Sequence, residues 1–164
     1  MTARGPVQKK VKAGGILKRR GLVLLGVMSA PDHPGIASAI FEALGEAQLN
    51  AEFIVQCIDL NNDAHVLFCV VEENAEKASA LLQPIARELR AKKITATHHV
   101  AAVSVFGPDF RELPGIAGLA FGALARAGIN ILAVSTSIST ITCVIAEEQF
   151  DRALEALQGV FALP

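Results

Sequence analysis

The sequence has no tryptophan and no tyrosine, and its aromatic content rests on eight phenylalanines. Single-stranded nucleic acid is commonly held on stacked aromatic side chains, so a platform of that kind is not expected. Cysteine is scarce too. Cys57, Cys69 and Cys143 are widely separated, form no CxxC pair and lie in apolar, strand-like runs. They read as small reduced hydrophobes in a reducing compartment, not as metal ligands or nucleophiles. Long apolar runs are also missing. The longest, Leu22 to Ala30, contains Gly26 and Ser29 and is too short to span a bilayer. No apolar stretch with a small-residue cleavage site closely follows the basic start, so no secretory signal is expected and the expected location is cytoplasmic. Catalytic signatures are absent: there is no GxSxG, no HExxH and no Walker loop. His65 and the pair His98-His99 have no metal-ligand partner at useful spacing. The expectation is a chain with no catalytic residue, no metal and no cofactor.

What is present is enough apolar residue for real cores, 52% of the sequence, and a formal net charge of −1. That balance gives no overall pull toward nucleic acid or a membrane, and neither is expected as a partner. The charge is unevenly placed. Residues 1–20 hold Arg4, Lys9, Lys10, Lys12, Lys18, Arg19 and Arg20 and no acid; the other 144 residues hold 8 basic and 16 acidic side chains. Such a segment either meets an acidic surface or is a solvated terminus. Lys12-Ala13-Gly14-Gly15 has no strand–loop–helix context for a phosphate loop and reads as a flexible linker.

The strongest signal is an internal repeat. Pro34-Gly35-Ile36-Ala37 recurs as Pro114-Gly115-Ile116-Ala117, an offset of 80. The same offset carries Phe41, Ala43, Leu44, Ala47 and Asn50 onto Phe121, Ala123, Leu124, Ala127 and Asn130, nine identities in seventeen positions. Each copy starts with an apolar strand, Gly21–Ala30 or Ala101–Gly107, followed by a proline-containing loop. A helix follows from Pro34 to about Gln48, with Ile36, Ile40, Leu44 and Ala47 on one face. Proline suits the first turn of a helix, where its missing N–H costs nothing. Two strands come next, Ala51–Leu60 and Ala64–Val71 in the first copy, Asn130–Ser135 and Thr140–Ala146 in the second. A second helix closes each copy, Asn74–Arg90 and Glu147–Gly159. Lys93–His98 then supplies a fourth strand to the first copy, giving βαββαβ. The second copy has no such strand after Gly159, and Pro6–Ala13 is a candidate donor. The fold class is therefore α+β: two tandem ferredoxin-like modules, at 21–99 and 100–164, after a basic tail or extra strand at 1–20. Exposed sheet edges and the strand missing from the second copy predict at least a dimer.

One constellation suggests a ligand. Asp32 precedes Pro34-Gly35 at the start of the first helix, whose free N–H groups attract a carboxylate. Asp32 beside them suits an ammonium group, so the pair makes a zwitterion clamp, with small Gly35 and Ala37 allowing close approach. The alternative for Asp32 is a plain capping or turn aspartate. Gln56, polar within Phe53-Ile54-Val55-Gln56-Cys57-Ile58, points either at a ligand or partner or to solvent on a half-buried strand.

At these residues the chain resembles the regulatory region of aspartate kinase, which consists of two ACT domains. The likeness is carried by Asp32-His33-Pro34-Gly35-Ile36-Ala37, Phe41-Glu42-Ala43-Leu44 and Ile54-Val55-Gln56 in the first copy. In the second it is carried by Pro114-Gly115-Ile116-Ala117, Ala127-Gly128-Ile129-Asn130-Ile131, Val134-Ser135-Thr136-Ser137 and Ala153-Leu154-Glu155-Ala156-Leu157. The family pattern continues with an acid and then a base where Ile138 and Thr140 stand here. The resemblance implies a regulatory role, with lysine, threonine or both as allosteric effectors. It implies that Asp32, Gly35, Ala37 and Gln56 contribute from the first module of one chain, and Asn130 and Ile131 from the second module of another. It also implies that a segment before the first module can complete the second, and that the catalytic kinase chain is a partner. The chain alone should lack kinase activity. The alternative function is a free-standing ACT pair that regulates another protein by contact.

Overall fold

The computed structural model describes residues 10–108 and 110–164. Twelve helices and strands follow one another among them, together with three single 3₁₀ turns. The strands are β1 (Val11–Lys12), β2 (Gly15–Pro31), β3 (Phe53–Ile58), β4 (Asp63–Val71), β5 (Lys93–Phe106), β6 (Ile131–Thr136), β7 (Thr140–Ala146) and β8 (Phe161–Ala162). The helices are α1 (Ile36–Glu46), α2 (Ala75–Glu88), α3 (Ile116–Arg126) and α4 (Phe150–Val160). The chain divides into two compact units. One is Arg20–Val100; the other joins Ala101–Pro164 to the described residues up to Arg19.

In the unit 20–100 the strand order is β3-β4-β2-β5, with β3/β4 and β4/β2 antiparallel. This is the order that βαββαβ connectivity produces. Strand residues alternate between faces. Val23, Leu25 and Val27 of β2 and Ala64, Val66, Phe68 and Val70 of β4 therefore share one face. Ile36, Ile40 and Leu44 of α1 and Ala78, Leu82 and Ala86 of α2 close over it at helical spacing. Phe41 meets Phe68 edge to face, with ring centroids 5.3 Å apart.

The other unit repeats the plan, in the order β2-β5-β7-β6. Val103 and Val105 of β5 and Ile141, Cys143 and Ile145 of β7 face Ile116 and Leu124 of α3 and Phe150 and Leu157 of α4. The strand that the second copy lacks comes from the start of β2, residues Gly15–Arg19, beside the later half of β5. This corrects the expected donor. Of Pro6–Ala13, Pro6–Lys9 lie outside the described residues. Val11 and Lys12 pair in parallel with Phe161 and Ala162 of β8, in a separate two-stranded sheet. The Gly14 N–H then donates to the Phe106 carbonyl at 2.7 Å, which starts the main ladder. Lys18 and Arg19 thus lie on the stretch of β2 that precedes its ladder with β4, which begins at Leu22, and charge on such a stretch discourages pairing with another chain.

The helix starts also differ from expectation. Both α1 and α3 begin two residues after their proline, capped by Gly35 (φ 105°) and Gly115 (φ 86°) in the left-handed region. A Cβ at either glycine would meet no neighbour within 4 Å, so backbone angle and not space requires glycine there. Of the cysteines, Cys69 and Cys143 are buried, and desolvation pushes their thiols up to about 12 and about 11. Cys57, on β3, is exposed. No helix among the described residues is long and apolar enough to cross a membrane.

The borrowed strand gives a testable outcome. Deleting residues 1–19 removes the neighbour of β5 in the second unit, and amide exchange in Ala101–Phe106 should accelerate at least about tenfold. Exchange in β3 and β4 should change little. Hydrogen exchange read by mass spectrometry or NMR checks this.

Candidate functional site

A shallow hollow of about 380 Å³ opens at the N-terminal end of α1, lined by Asp32, His33, Pro34, Gly35, Ile36, Ala37, Ser38 and Gln56. Four residues singled out from the sequence, Asp32, Gly35, Ala37 and Gln56, therefore share one surface. β2 delivers Asp32 just past its end, the left-handed Gly35 turns the chain into α1, and β3 presents Gln56 opposite Val66 of β4.

The first turn of α1 is unusually bare. The N–H groups of a first turn have no partner within the helix. Gly35 offers no side-chain cap, and no acidic residue lies in that turn. The Ser38 hydroxyl is turned instead toward Glu42, donating at 2.6 Å. By contrast α2 and α4 carry Glu76 and Asp151 in their first turns, which offset the dipole from within the chain. The Asp32 carboxylate makes no hydrogen bond or ion pair among the described residues; only its backbone N–H is engaged, on the Asn62 carbonyl at 2.9 Å. Positive helix end and lone carboxylate thus stand side by side, an arrangement that holds the two charges of an amino acid.

Asn130 and Ile131 do not line this hollow; they belong to the other unit. Asn130 is exposed in the turn after α3, whereas the Ile131 side chain packs partly against its own core. A second hollow of about 260 Å³ lies at the start of α3, bounded by Phe110, Leu113, Gly115, Ile116, Ala117, Thr136, Ser137, Ile138 and Ile141. The offset of 80 maps Gly35, Ala37 and Gln56 onto its Gly115, Ala117 and Thr136. Leu113 stands at the counterpart of His33.

His33 and Ser38 were not picked out from the sequence, and neither was a polar group behind the hollow. The Asp59 carboxylate accepts the N–H groups of Asn61 and Asp63 at 2.8 and 3.0 Å and meets His65 Nε2 at 3.1 Å. These bonds, that from Asp63 first and that from His65 next, hold Asp59 below the usual carboxylate range. Glu72 is also held low, chiefly by His98 Nδ1 at 2.6 Å. Buried Asp63 pairs with Lys92 at 2.7 Å, and that bond raises the lysine. The Glu72–His98 and Asp63–Lys92 pairs are 26 and 29 residues apart in sequence and only the fold brings them together, whereas the bonds of Asp59 are local to one hairpin turn.

Carboxylates depressed in the folded state stabilise it above their ordinary range and lose that contribution as pH falls through the lowered values. The melting temperature should therefore hold from pH 7 to 5 and fall below about pH 4. Asp59→Asn should lower the neutral-pH value and flatten the acid limb. Thermal melts across pH check both.

Comparison with known proteins places this geometry. The ACT domain family matches residues 23–90 and again 103–161. An aspartate kinase of Pseudomonas putida is 32% identical over 149 residues, covering 91% of this chain and 36% of that protein. The chain thus spans about a third of the length of the curated relatives it matches. Among solved structures, the ligand-free regulatory subunit of aspartate kinase from Thermus thermophilus superposes with a TM-score of 0.82 at 27% identity, covering 92% of this chain and 99% of that one. A structure of aspartokinase alpha and beta subunits gives 0.81 at 26% identity, covering 90% and 97%.

Proposed function

Since this chain belongs to the ACT domain family, as a two-module regulatory region of the aspartate kinase type, we propose that it senses lysine, threonine or both through the hollow at the start of α1. The observation that carries the reading is the uncapped, acid-free first turn of α1 beside the unpaired Asp32 carboxylate. The helix start takes the effector carboxylate, Asp32 takes the ammonium, and Gln56 offers an amide to the side chain. Gly35 and Ala37 keep the floor of the hollow low. Asn130 and the backbone of Ile131 reach the effector from the later module of a second copy.

Self-association is part of this proposal. β3 and β6 are edge strands without a charged residue, and Ile54, Ile58, Leu132 and Val134 on them are exposed. An edge of this kind invites a further strand. A second copy is the natural occupant because it carries the same surfaces. A catalytic kinase chain in the cytoplasm is the partner that effector binding would regulate. The structure of aspartokinase alpha and beta subunits concerns a protein built from two kinds of chain, which supports that reading by likeness.

Lysine or threonine at about one hundred times its Kd should stabilise the folded chain by ~2.7 kcal/mol. For a chain of this size that is a rise of roughly 5–10 °C in Tm. Asp32→Ala should leave the unliganded Tm within about 1 °C, since no bond within the fold is lost, and should abolish the shift. A normal shift in that variant would show that Asp32 does not hold the effector. A wild-type chain indifferent to both amino acids would refute the sensor reading. In sedimentation the chain should run at twice the mass of one copy; a lone 17.2 kDa species at tens of micromolar would refute the pairing.

A further inference from the structure

The loop that bears Asp32 is tied down from a neighbouring hairpin. The Asp32 N–H donates to the Asn62 carbonyl at 2.9 Å. Asn62 has a φ of 61°, in the turn between β3 and β4. The shape of that turn is set by Asp59. Its backbone N–H donates to the Asp63 carbonyl at 2.9 Å, its carbonyl accepts the Asn62 N–H at 3.1 Å, and its Oδ1 accepts from Asn61 and Asp63.

The other carboxylate oxygen of Asp59 lies 3.1 Å from His65 Nε2. His65 Nδ1 in turn accepts the backbone N–H of Ser29 at 3.2 Å. A ring nitrogen that accepts carries no hydrogen, so in the neutral ring the hydrogen sits on Nε2 and points at Asp59. Ser29 sits where the register of β2 against β4 slips, between Val27 and Ala30, and its φ is 54°. A non-glycine residue rarely takes that conformation without support. The chain of bonds runs Ser29, His65, Asp59, Asn62, Asp32, and returns to the same end of β2 three residues from where it began.

We propose that His65 is a positioning residue of the hollow: by joining the Ser29 bulge to Asp59 it fixes the hairpin carbonyl that holds Asp32, and so sets where the Asp32 carboxylate stands. Asp63 and Lys92 brace the same end of β2. Lys92 Nζ donates to Asp63, and its backbone N–H donates to the Met28 carbonyl at 3.0 Å. The Lys92 N–H also reaches the Ser29 carbonyl at 3.3 Å, and the Asp63 N–H donates to Asp59, so both touch the ends of the link, but only His65 bonds Ser29 and the Asp59 carboxylate together. His65 joins three separate pieces of chain through two ring nitrogens, which no shorter polar side chain reproduces. The consequence for effector affinity rests on the reading of the hollow given above; the consequence for the loop does not.

The test uses the whole chain, with lysine and threonine as probes, and three variants: His65→Ala, His65→Gln and Leu82→Ala. Leu82 is a fully buried core residue of α2 outside the hollow, so its truncation serves as a control for lost stability alone. In His65→Ala, exchange of the Asp32 amide with solvent and the effector Kd should each rise about tenfold, the size expected for a lost hydrogen bond to a charged group. His65→Gln, which keeps an N–H donor toward Asp59, should recover most of both. Leu82→Ala should lower the Tm at least as far and move neither. Asp32 exchange unchanged in His65→Ala, or raised equally in Leu82→Ala, overturns the proposal, as does unaltered affinity in His65→Ala. If the wild-type chain binds neither amino acid while Asp32 exchange still follows His65, the effector reading fails and the positioning of the loop by His65 stands.

Discussion

The pairing of β2 with β5 is the interaction on which both units depend. β2 runs for 17 residues and β5 for 14, longer than any other strand among the described residues. Each serves one unit with its first part and the other with its second. A strand in the middle of a sheet needs hydrogen-bonding partners on both sides, because an unpaired buried N–H or C=O costs about 1–3 kcal/mol. The later half of β5 would lack one such partner without Gly15–Arg19. Borrowing that segment completes a module whose own connectivity ends one strand early. It also explains how a run of lysine and arginine comes to lie in a regular strand: only one side of it has to pair, and its charges guard the other.

With the sheets closed, the two helix starts are free to be functional. α2 and α4 offset their own dipoles with an acid in the first turn. α1 and α3 do not, and each is entered through a left-handed glycine that brings the chain around at the end of a sheet. An uncompensated helix end in open solvent costs little, since water satisfies the N–H groups. The arrangement therefore serves an anion at no great expense to stability. Placing a carboxylate three residues ahead of the cap supplies the opposite charge within reach of the same small molecule.

How much of this was legible in the sequence depended on the range of the cause. The repeat at offset 80 and the apolar spacing of Ile36, Ile40 and Leu44 are local, and they gave the modules and the helices. Asp32, Gly35 and Ala37 were grouped by their place at one helix start, whereas Gln56 joined them only through the family resemblance. The register shift at Ser29 was not legible, because it is set by the cross-strand partners of β2 and leaves no mark in the neighbouring residues. His65 was dismissed for want of a metal-ligand partner, when its partners are an aspartate six residues back and a backbone N–H on another strand. Lys18-Arg19-Arg20 suggested a tail because charge suppresses the apolar alternation by which strands are recognised. Ile131 illustrates a different limit: its position beside Asn130 was plain, but that its side chain turns into its own core was decided by the pleat of β6.

The two hollows show what duplication preserves and what it releases. Backbone conformation is kept: Gly35 and Gly115 share the left-handed region, and the helices they start have equal length, 11 residues each. Side-chain chemistry is not. The counterpart of Asp32 is Glu112, which is exposed and lies 3.8 Å from Arg111, so its charge is partly offset by its neighbour. His33 becomes Leu113 and Gln56 becomes Thr136. The donors that would face a carboxylate come from the backbone and survive any substitution that keeps the glycine. The group that would face an ammonium comes from a side chain and is lost with one codon. A fold that recognises one end of its ligand by main chain and the other by side chain can therefore keep the helix start in both copies while only the first retains a lone acid beside it.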